Sequence, residues 1–269
     1  MFFAGKELSN KISYLKNQGK ELNLSINYPK KFESLVKFYI SVFGIPEIGF
    51  QERFNFFQRC IKNLGGKMFI DAGCGNGAYS RFMAEKYPQS KIMAFDFEKK
   101  LVSLAKELTD EKRINFFTHD LTKKSNQLSN KADIVWSLDV LEHIKDYKKA
   151  VKNLALMVKK NGYLILHVPL INQRRWLSYF NHWTHETHER EGFQKKEIIN
   201  LLKNFKIVKE INTFGALGSL IWELNTILFK KFPPLAALFF PTLRLLMMLD
   251  KIIPSKKYNC FGILAKKIK

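Results

Sequence analysis

The sequence contains little cysteine and no paired cysteine motif. Cys60, Cys74 and Cys260 are the only three cysteines in 269 residues, and no two of them form a C-x-x-C pair. An odd number of separated thiols indicates a reducing compartment and argues against a disulfide framework. The first ten residues, MFFAGKELSN, have no charged segment followed by a long apolar run, so we expect no secretory signal there.

Acidic residues are also scarce. The chain has 45 lysines and arginines against 24 acids, which gives a formal net charge of +21. This imbalance favours a polyanionic partner, either nucleic acid or an anionic membrane surface. The lysines are spread along the chain without a dense run, so a lysine-rich proteome is an alternative explanation. The length suits one large α/β domain with an elaboration, or two small domains.

Strands and helices alternate through the middle of the chain. The pattern predicts strands at about 67–71, 91–97, 113–120, 132–139 and 163–169, with helices at about 77–87, 99–108 and 148–159. Asn161-Gly162 is expected to stop the last of these helices. A helix at 195–204 and strands at 205–213 and 259–267 should follow. This alternation indicates an α/β fold with a doubly wound, parallel sheet.

A glycine-rich turn follows the first predicted strand. Residues 69–80 read FIDAGCGNGAYS, with glycines at 73, 75 and 77. Glycine allows the backbone to turn sharply and to approach a ligand without a Cβ clash. The third glycine comes two residues after the second, which differs from the dinucleotide fingerprint G-x-G-x-x-G. Acids also end the later strands, and in a parallel sheet such ends meet at the ligand-binding edge.

The D-x-G-x-G-x-G spacing, with acids at the next strand ends, resembles the first motif of class I S-adenosylmethionine-dependent methyltransferases. The resemblance implies a Rossmann-like sheet of seven strands, mostly parallel, whose sixth and seventh strands form an antiparallel edge pair. It also implies S-adenosyl-L-methionine as the cofactor. The cofactor-binding residues that it implies are Asp71, Gly73, Cys74, Gly75, Asn76, Gly77, Asp96, Phe97, Asp120, Leu121, Ser137 and Leu138.

Individual roles follow from the same resemblance. Asp96 would accept hydrogen bonds from both ribose hydroxyls of the cofactor. Asp120 would accept one from the adenine amino group, with Leu121 beside it as an apolar wall. Cys74 is expected to be a small buried residue within the turn. Backbone atoms around Ser137 and Leu138 would face the methionine end.

Two further segments indicate catalytic residues. Residues 137–144, SLDVLEHI, resemble the fourth motif of the branch that contains quinone and many small-molecule methyltransferases, which places His143 beside the reacting methyl group. An alternative is that His143 merely begins a helix. Residues 188–193, HEREGF, resemble the H-x-R-x-G-[YF] sequence of a loop that covers the acceptor pocket. An acceptor hydroxyl or carbon needs a base within about 3 Å.

The candidates for this catalytic work are His143, His185, His188 and Arg190, and a solvated loop is the alternative for the last three. His182, His185 and His188 also suggest a metal. A zinc site needs three or four ligands and an orienting shell, and the cysteines are remote, so we expect no metal.

Two nucleic-acid chemistries are disfavoured by missing motifs. No N/D-P-P-Y/F sequence, typical of enzymes that methylate exocyclic amines of bases, follows the fourth strand. No cysteine nucleophile of the pyrimidine-carbon enzymes occurs there either. Methylation of RNA at ribose or ring nitrogens stays open as an alternative.

The segment between the last two strands is very apolar. A bilayer-spanning helix needs about 20 apolar residues, but Pro241, Arg244 and Asp250 interrupt residues 235–253. Central charges disfavour insertion, so we expect no span. One interpretation is a pair of helices lying in the interface of an anionic membrane. The other is a helical cap that packs on the core or on a second subunit.

These patterns predict a helical N-terminal extension (1–60), a methyltransferase core (61–214 and 257–269) and an apolar helical insertion before the last strand (215–256). The expected function is methyl transfer to a small, hydrophobic or lipid-linked acceptor at a membrane surface. The alternatives are an RNA methyltransferase and a non-catalytic binding protein that retains the fold. We expect a cytoplasmic protein, peripheral on the inner face of the membrane, and a dimer stays open.

Overall fold

A computed structural model describes residues 38–39, 42–43, 46–180 and 188–269. Its strands form one sheet in the order β3-β2-β1-β4-β5-β7-β6. Their bounds are β1 (Met68–Ala72), β2 (Lys91–Asp96), β3 (Ile114–Thr118), β4 (Ala132–Leu138), β5 (Val158–Pro169), β6 (Phe205–Thr213) and β7 (Cys260–Lys267). Strands β1 to β5 pair in parallel, and β7 is antiparallel to both β5 and β6. The predicted fold class is therefore confirmed, including the antiparallel pair at one edge.

Helices cover both faces of the sheet. They are α1 (Ile48–Ile61), α2 (Ala78–Lys86), α3 (Lys99–Glu107), α4 (Tyr147–Met157), α5 (Lys195–Ile199), α6 (Ala216–Lys231) and α7 (Pro233–Asp250). Residues of α1, α2 and α3 share one core cluster with the sheet, and residues of α4 and α5 share another. Because both faces are covered, successive residues of β1 and β4 are buried instead of alternate ones.

Most element boundaries lie within two residues of the prediction, but β5 begins five residues early. The chain passes from α4 directly into β5 at Val158, so Asn161-Gly162 lies inside the strand and does not stop the helix. Asn161 has a left-handed φ of 64°, and the pairing with β4 shifts register here. An added Cβ on Gly162 would lie 2.9 Å from the carbonyl oxygen of Ala132. Glycine is therefore needed where the two strands approach closely.

Two other helix predictions have different outcomes. The helix predicted at 195–204 is shorter, because α5 ends before its C-cap, Asn200. The predicted helical N-terminal extension (1–60) lies largely outside the described residues, although 38–39, 42–43 and α1 are helical.

The apolar segment before β7 forms the helices α6 and α7, which pack against each other and against the start of α1. Asp250, at the end of α7, accepts hydrogen bonds from the amides of Gly215 (2.8 Å) and Gly218 (2.7 Å) at the start of α6. A carboxylate at a helix N-terminus is favourable, because it pairs with otherwise unsatisfied amides. Within the described residues, none of the helices is both long enough and apolar enough to cross a membrane.

Candidate active site

A cavity of about 1470 Å³ opens at the carboxyl ends of the parallel strands. The glycine turn after β1 forms one side, and residues of α6 form the other. Ten of the twelve predicted cofactor-binding residues line it: Asp71, Gly73, Cys74, Gly75, Asn76, Asp96, Phe97, Asp120, Leu121 and Leu138. The structure therefore brings together residues from four different strand ends, as expected for a ligand site of this sheet type.

Two predicted residues do not line the cavity. Gly77 precedes α2 with a φ of 81°, and an added Cβ there would lie 2.7 Å from the ring of Phe116. The third glycine therefore serves close packing of the turn, and its contact with the cofactor stays a prediction. The side chain of Ser137 is buried within β4, with only 1% of the residue exposed.

The other two glycines of the turn differ from each other. An added Cβ on Gly73 would lie 2.3 Å from Val140, whereas one on Gly75 would meet nothing within 4 Å. Both have positive φ, 84° and 52°. The amides of Gly73 and Cys74 donate to the carbonyl of Phe95, which holds the turn against β2. The backbone at Gly75 thus presents open space to the cavity, where a ligand can approach closely.

Asp96 supports the turn from the neighbouring strand. Its Oδ2 accepts a hydrogen bond from the amide of Gly75 at 2.8 Å, and its Oδ1 accepts one from the amide of Glu98 at 3.0 Å. Both bonds come from the backbone, so the carboxylate is fixed in orientation. It remains part of the cavity lining, where it can accept further hydrogen bonds.

Asp120 is the corresponding acid after β3. Burial raises the pKa of its carboxyl, but hydrogen bonds from the hydroxyl (2.7 Å) and amide (2.9 Å) of Thr122 outweigh burial and lower the pKa overall. The group is therefore a carboxylate and an acceptor at neutral pH. The neighbouring Leu121 is 5% exposed and supplies the apolar wall.

The pKa of Asp71 is shifted in the opposite direction to that of Asp120. The residue is 2% exposed, and its Oδ2 accepts a hydrogen bond from the hydroxyl of Ser80 at 2.7 Å. Burial raises the pKa of Asp71 to about 7, although the Ser80 hydrogen bond opposes the shift. A cationic group bound nearby would favour the charged form.

Sequence reasoning missed a buried polar network at the end of β4. The two oxygens of Asp139 contact Arg53 Nη1 (3.1 Å) and His167 Nδ1 (2.5 Å). The other ring nitrogen of His167 contacts the Thr213 hydroxyl at 3.0 Å. Burial raises the pKa of Asp139, but His167 and Arg53 outweigh it and lower the pKa to about 2. The polar His167 inside an apolar strand was the signal that could have revealed this network.

Glu142, His143 and His188 form a second polar group. One candidate ligand atom from each residue lies within 4.8 Å of the others, and the two imidazole rings meet edge to face at 4.5 Å. Glu142 Oε2 is buried without a hydrogen-bond partner among the described residues. Burial, followed by the charge of Asp139, raises the pKa of Glu142 well above its usual value.

This group has the composition of a site for a divalent cation, with one carboxylate and two imidazoles. The absence of a metal stays an untested expectation. Of the histidines that suggested a metal from the sequence, only His188 is described, because His182 and His185 lie outside the described residues.

Arg190 lines the cavity, but its hydrogen bonds serve the loop. Its Nε donates to the carbonyl of Gly192 at 2.8 Å, and its Nη2 donates to Glu197 at 3.1 Å. The guanidinium also stacks on the rings of Tyr147 and Phe193, at 4.5 and 4.2 Å from their centroids. These contacts brace the loop, and the catalytic role of Arg190 stays a prediction.

The residues around the turn fit the predicted cofactor. Gly75 leaves a cradle that a Cβ would partly fill. Asp96 and Asp120 present carboxylates at adjacent strand ends, suited to the ribose hydroxyls and the adenine amino group. Phe97, 74% exposed, and Leu121 add apolar surface beside them. The chemistry of this donor set matches the parts of S-adenosylmethionine.

Comparison with known proteins agrees with this geometry. The model of the Methyltransferase domain family matches residues 50–207, more than half of the chain. Ubiquinone biosynthesis O-methyltransferase of Idiomarina loihiensis is 28% identical over 127 residues, which are 46% of this chain and 51% of that protein. The Coxiella burnetii (strain RSA 493) protein of the same name is 30% identical over 106 residues, 38% and 43% of the two chains. The chain thus spans about half the length of the curated relatives that it matches.

Solved structures show the same fold at low identity. Haemonchus contortus phosphoethanolamine N-methyltransferase 2, in complex with S-adenosyl-L-methionine, aligns with a TM-score of 0.60 and 17% identity, over 86% of this chain and 56% of that one. An S-adenosylmethionine-dependent methyltransferase from Mesorhizobium loti aligns with a TM-score of 0.56 and 14% identity, over 80% and 98%. The chain therefore belongs to the Methyltransferase domain family and has the fold of S-adenosylmethionine-dependent methyltransferases.

Proposed function

We propose that this enzyme methylates a small, hydrophobic or lipid-linked acceptor at a membrane surface. The observation that carries the proposal is the cavity, which extends from the glycine turn to the aromatic residues of the apolar helical segment. S-adenosylmethionine supplies a methyl group that is already activated for displacement. The chain's own residues then have to orient the two reactants and manage the acceptor's proton, and orientation alone can supply about 7–11 kcal/mol.

The acceptor side of the cavity is aromatic. Phe180 is 1% exposed and packs on Trp222, with ring centroids 5.5 Å apart. Phe229 extends this wall along α6. Such surfaces favour an apolar or aromatic ligand. The relatives named for ubiquinone biosynthesis support an acceptor of this class.

His143 and His188 are suited to manage the acceptor's proton. Both line the cavity beside each other, and His188 is half-buried. An imidazole is the side chain whose ordinary pKa suits proton transfer near neutral pH. The amide of Glu189 donates to the carbonyl of Glu142 at 2.9 Å, which holds the His188 loop against the end of β4. We assign His188 or His143 as the base for an acceptor hydroxyl.

Two adjoining surfaces support a location at an anionic membrane. The outer face of α7 and the residues after it expose large apolar side chains, and we call this face the apolar ridge: Leu235, Leu238, Phe239, Leu245, Leu246, Met248, Leu249, Ile252 and Ile253. Exposed patches of this kind mark interaction sites. The lysines at 230, 231, 256 and 257 lie at the ends of the segment.

A basic cleft adjoins the apolar ridge at Met248. Its volume is about 480 Å³, and its charged lining residues are Arg59, Lys62, Lys86, Arg244, Lys251 and one acid, Glu52. Glu52 already pairs with Lys251 at 3.0 Å. Apolar side chains beside a cleft with more cations than acids suit an anionic lipid surface. The proposed location is therefore peripheral, on the cytoplasmic face of a membrane.

The proposal is tested by incubating the protein with methyl-labelled cofactor and, separately, with lipid, quinone and RNA extracts. We expect label in the lipid or quinone fraction, and co-sedimentation with phosphatidylglycerol vesicles. Label in RNA alone, with salt-dependent RNA binding, would instead support the ribose or ring-nitrogen alternative. Concentration-dependent dimerisation that hides the apolar ridge would oppose the membrane part of the proposal.

A further inference from the structure

The acceptor side of the cavity contains an arginine, and one guanidinium nitrogen of this residue is buried without a hydrogen-bond partner among the described residues. Arg175 lies in the segment after β5 and lines the cavity. Its Nη1 is buried and makes no hydrogen bond within the described part of the chain. A buried donor without a partner has lost its hydrogen bonds to water, and no hydrogen bond within the protein replaces them. Because Arg175 also lines the cavity, its guanidinium is a candidate partner for an anionic group of a ligand.

The carboxylate that interacts most strongly with Arg175 is already engaged elsewhere. Glu223 is fully buried, and its oxygens accept hydrogen bonds from the amides of Trp176 (3.1 Å) and Leu177 (2.8 Å). Burial lowers the pKa of Arg175, and the attraction of Glu223 only partly opposes that shift. A guanidinium nevertheless stays protonated in proteins. Glu223 thus partly offsets the charge of Arg175 but accepts no hydrogen bond from Nη1.

An aromatic face contributes to the position of the guanidinium. Its Cζ lies 5.7 Å from the centroid of Trp222, whose ring packs on Phe180. Stacking of this kind fixes a planar cation and leaves its N–H edge available. Arg175 therefore stands where the aromatic wall meets the polar part of the cavity. A ligand with a polar head and an apolar body would meet both surfaces at once.

We propose that Arg175 binds an oxyanion of the acceptor, a carboxylate or a phosphate, so that the acceptor is an acidic amphiphile and not a neutral lipid. A guanidinium can pair with either group through two parallel N–H···O hydrogen bonds. The aromatic wall at Phe180 and Trp222 takes the apolar body of the same molecule. This inference rests on the proposed function, which it deepens by naming the head group.

The first experiment measures binding without turnover. S-adenosylhomocysteine-loaded protein is titrated calorimetrically with octyl phosphate, octanol and inorganic phosphate. We expect octyl phosphate to bind at least about tenfold more tightly than octanol to the wild type. Arg175→Gln should abolish that preference, and Arg175→Lys should retain part of it. A preference that is absent from the wild type, or unchanged in Arg175→Gln, would overturn the inference.

Arg174→Gln is the matched control. Arg174 is the preceding residue, and its guanidinium lies over the ring of Trp176 at 5.2 Å, outside the cavity lining. Arg174→Gln removes the same charge from the same loop but leaves the cavity lining unchanged. The variant should therefore keep the preference for octyl phosphate. Equal losses in both variants would indicate a general charge effect and would contradict a specific site at Arg175.

Cofactor binding tests the alternative that Arg175 binds the carboxylate of the cofactor and not the acceptor. Arg175→Gln should leave the Kd for S-adenosylhomocysteine within about twofold of the wild type. A loss of about tenfold would show that Arg175 holds the cofactor's own carboxylate, which would overturn the inference.

The second experiment follows the methyl group. A lipid extract is separated on an anion-exchange resin into acidic and neutral fractions, and each is incubated with methyl-labelled cofactor. Label in the acidic fraction is expected. Label confined to the neutral fraction would overturn the inference and leave the proposed function intact. Label in neither fraction would count against the proposed function itself, while the octyl phosphate titration still decides the role of Arg175.

Discussion

Asp139 and His167 meet through Oδ1 and Nδ1 at 2.5 Å, although 28 residues separate them in sequence. Asp139 adopts a left-handed φ of 51°, and its amide donates to the carbonyl of His167. The histidine ring is fully buried between adjacent strands. This pair fixes the end of β4 against β5, next to the motif that carries Glu142 and His143.

Asp139→Asn should lower stability in a pH-dependent way. The folded pKa of about 2 lies below the ordinary value of 3.8. The carboxylate therefore contributes stability above pH 4, which is lost as the pH falls through about 2. The difference corresponds to about 2 kcal/mol. Urea unfolding of wild type and variant at pH 7 and pH 3 measures the part of this contribution that is lost by pH 3, with the exposed Asp110→Asn as control. A pH-independent difference would contradict this assignment.

Cofactor binding should release a proton from Asp71 below neutral pH. The pKa of about 7 means that much of this carboxyl is protonated at pH 6.5 in the free protein. Because the cofactor carries a positive charge, its binding should lower that pKa. Calorimetry at pH 6.5 in two buffers of different ionisation enthalpy counts the released protons.

The raised pKa of Asp71 makes stability change with pH in the direction opposite to that for Asp139. A raised folded pKa makes the free protein less stable as the pH rises from about 4 to about 7. Asp71→Asn should remove both this slope and the proton release. Asp120→Asn serves as the control, because the pKa of Asp120 is already low. Proton release that persists in Asp71→Asn would contradict the assignment.

Two glycine substitutions in the turn should separate folding from binding. Gly73→Ala places a Cβ 2.3 Å from Val140, so it should cost stability by overpacking, about 1–3 kcal/mol plus backbone strain. Gly75→Ala meets no atom within 4 Å, so it should cost only about 1–2 kcal/mol for its left-handed backbone. Thermal unfolding and cofactor titration measure the two effects.

Gly75→Ala should weaken cofactor binding by about tenfold or more, because its Cβ enters the cavity space. Val140→Ala should partly rescue the stability of Gly73→Ala by removing the clashing methyl groups. Unimpaired cofactor binding in Gly75→Ala would show that the cofactor does not approach this backbone.

The basic cleft should contribute to binding of anionic vesicles. Arg59→Gln/Lys62→Gln/Lys86→Gln should weaken co-sedimentation with phosphatidylglycerol vesicles by about fivefold per charge at low salt. Binding to phosphatidylcholine vesicles should not change. Lys148→Gln/Lys152→Gln/Lys206→Gln removes three exposed charges elsewhere and should have a smaller effect. Equal losses in both triple variants would indicate attraction by net charge alone.

The strand-end acids were predictable because topology alone brings them together. Asp71, Asp96 and Asp120 each follow an apolar strand, and parallel strands place such positions at one edge of the sheet. No knowledge of side-chain partners is needed for that inference. The alternation of strands and helices predicted the sheet for the same reason.

Roles that depend on a distant partner were not predictable. Gly77 has the spacing of a binding glycine, but the ring of Phe116 occupies the space beside it. Arg190 lines the cavity as its spacing indicates, but its contacts with Glu197 and two aromatic rings were not evident from the sequence. The partner of Asp139, Arg53, lies 86 residues away. Pattern and spacing carry no information about such contacts.

Glu223 joins two parts of the molecule that the sequence separates by more than forty residues. By accepting hydrogen bonds from the amides of Trp176 and Leu177, it ties α6 to the chain after β5. Any tilt of α6 is therefore transmitted to the neighbouring Arg175. Docking of α6 and α7 on another surface would consequently shift Arg175 in the cavity through one buried carboxylate.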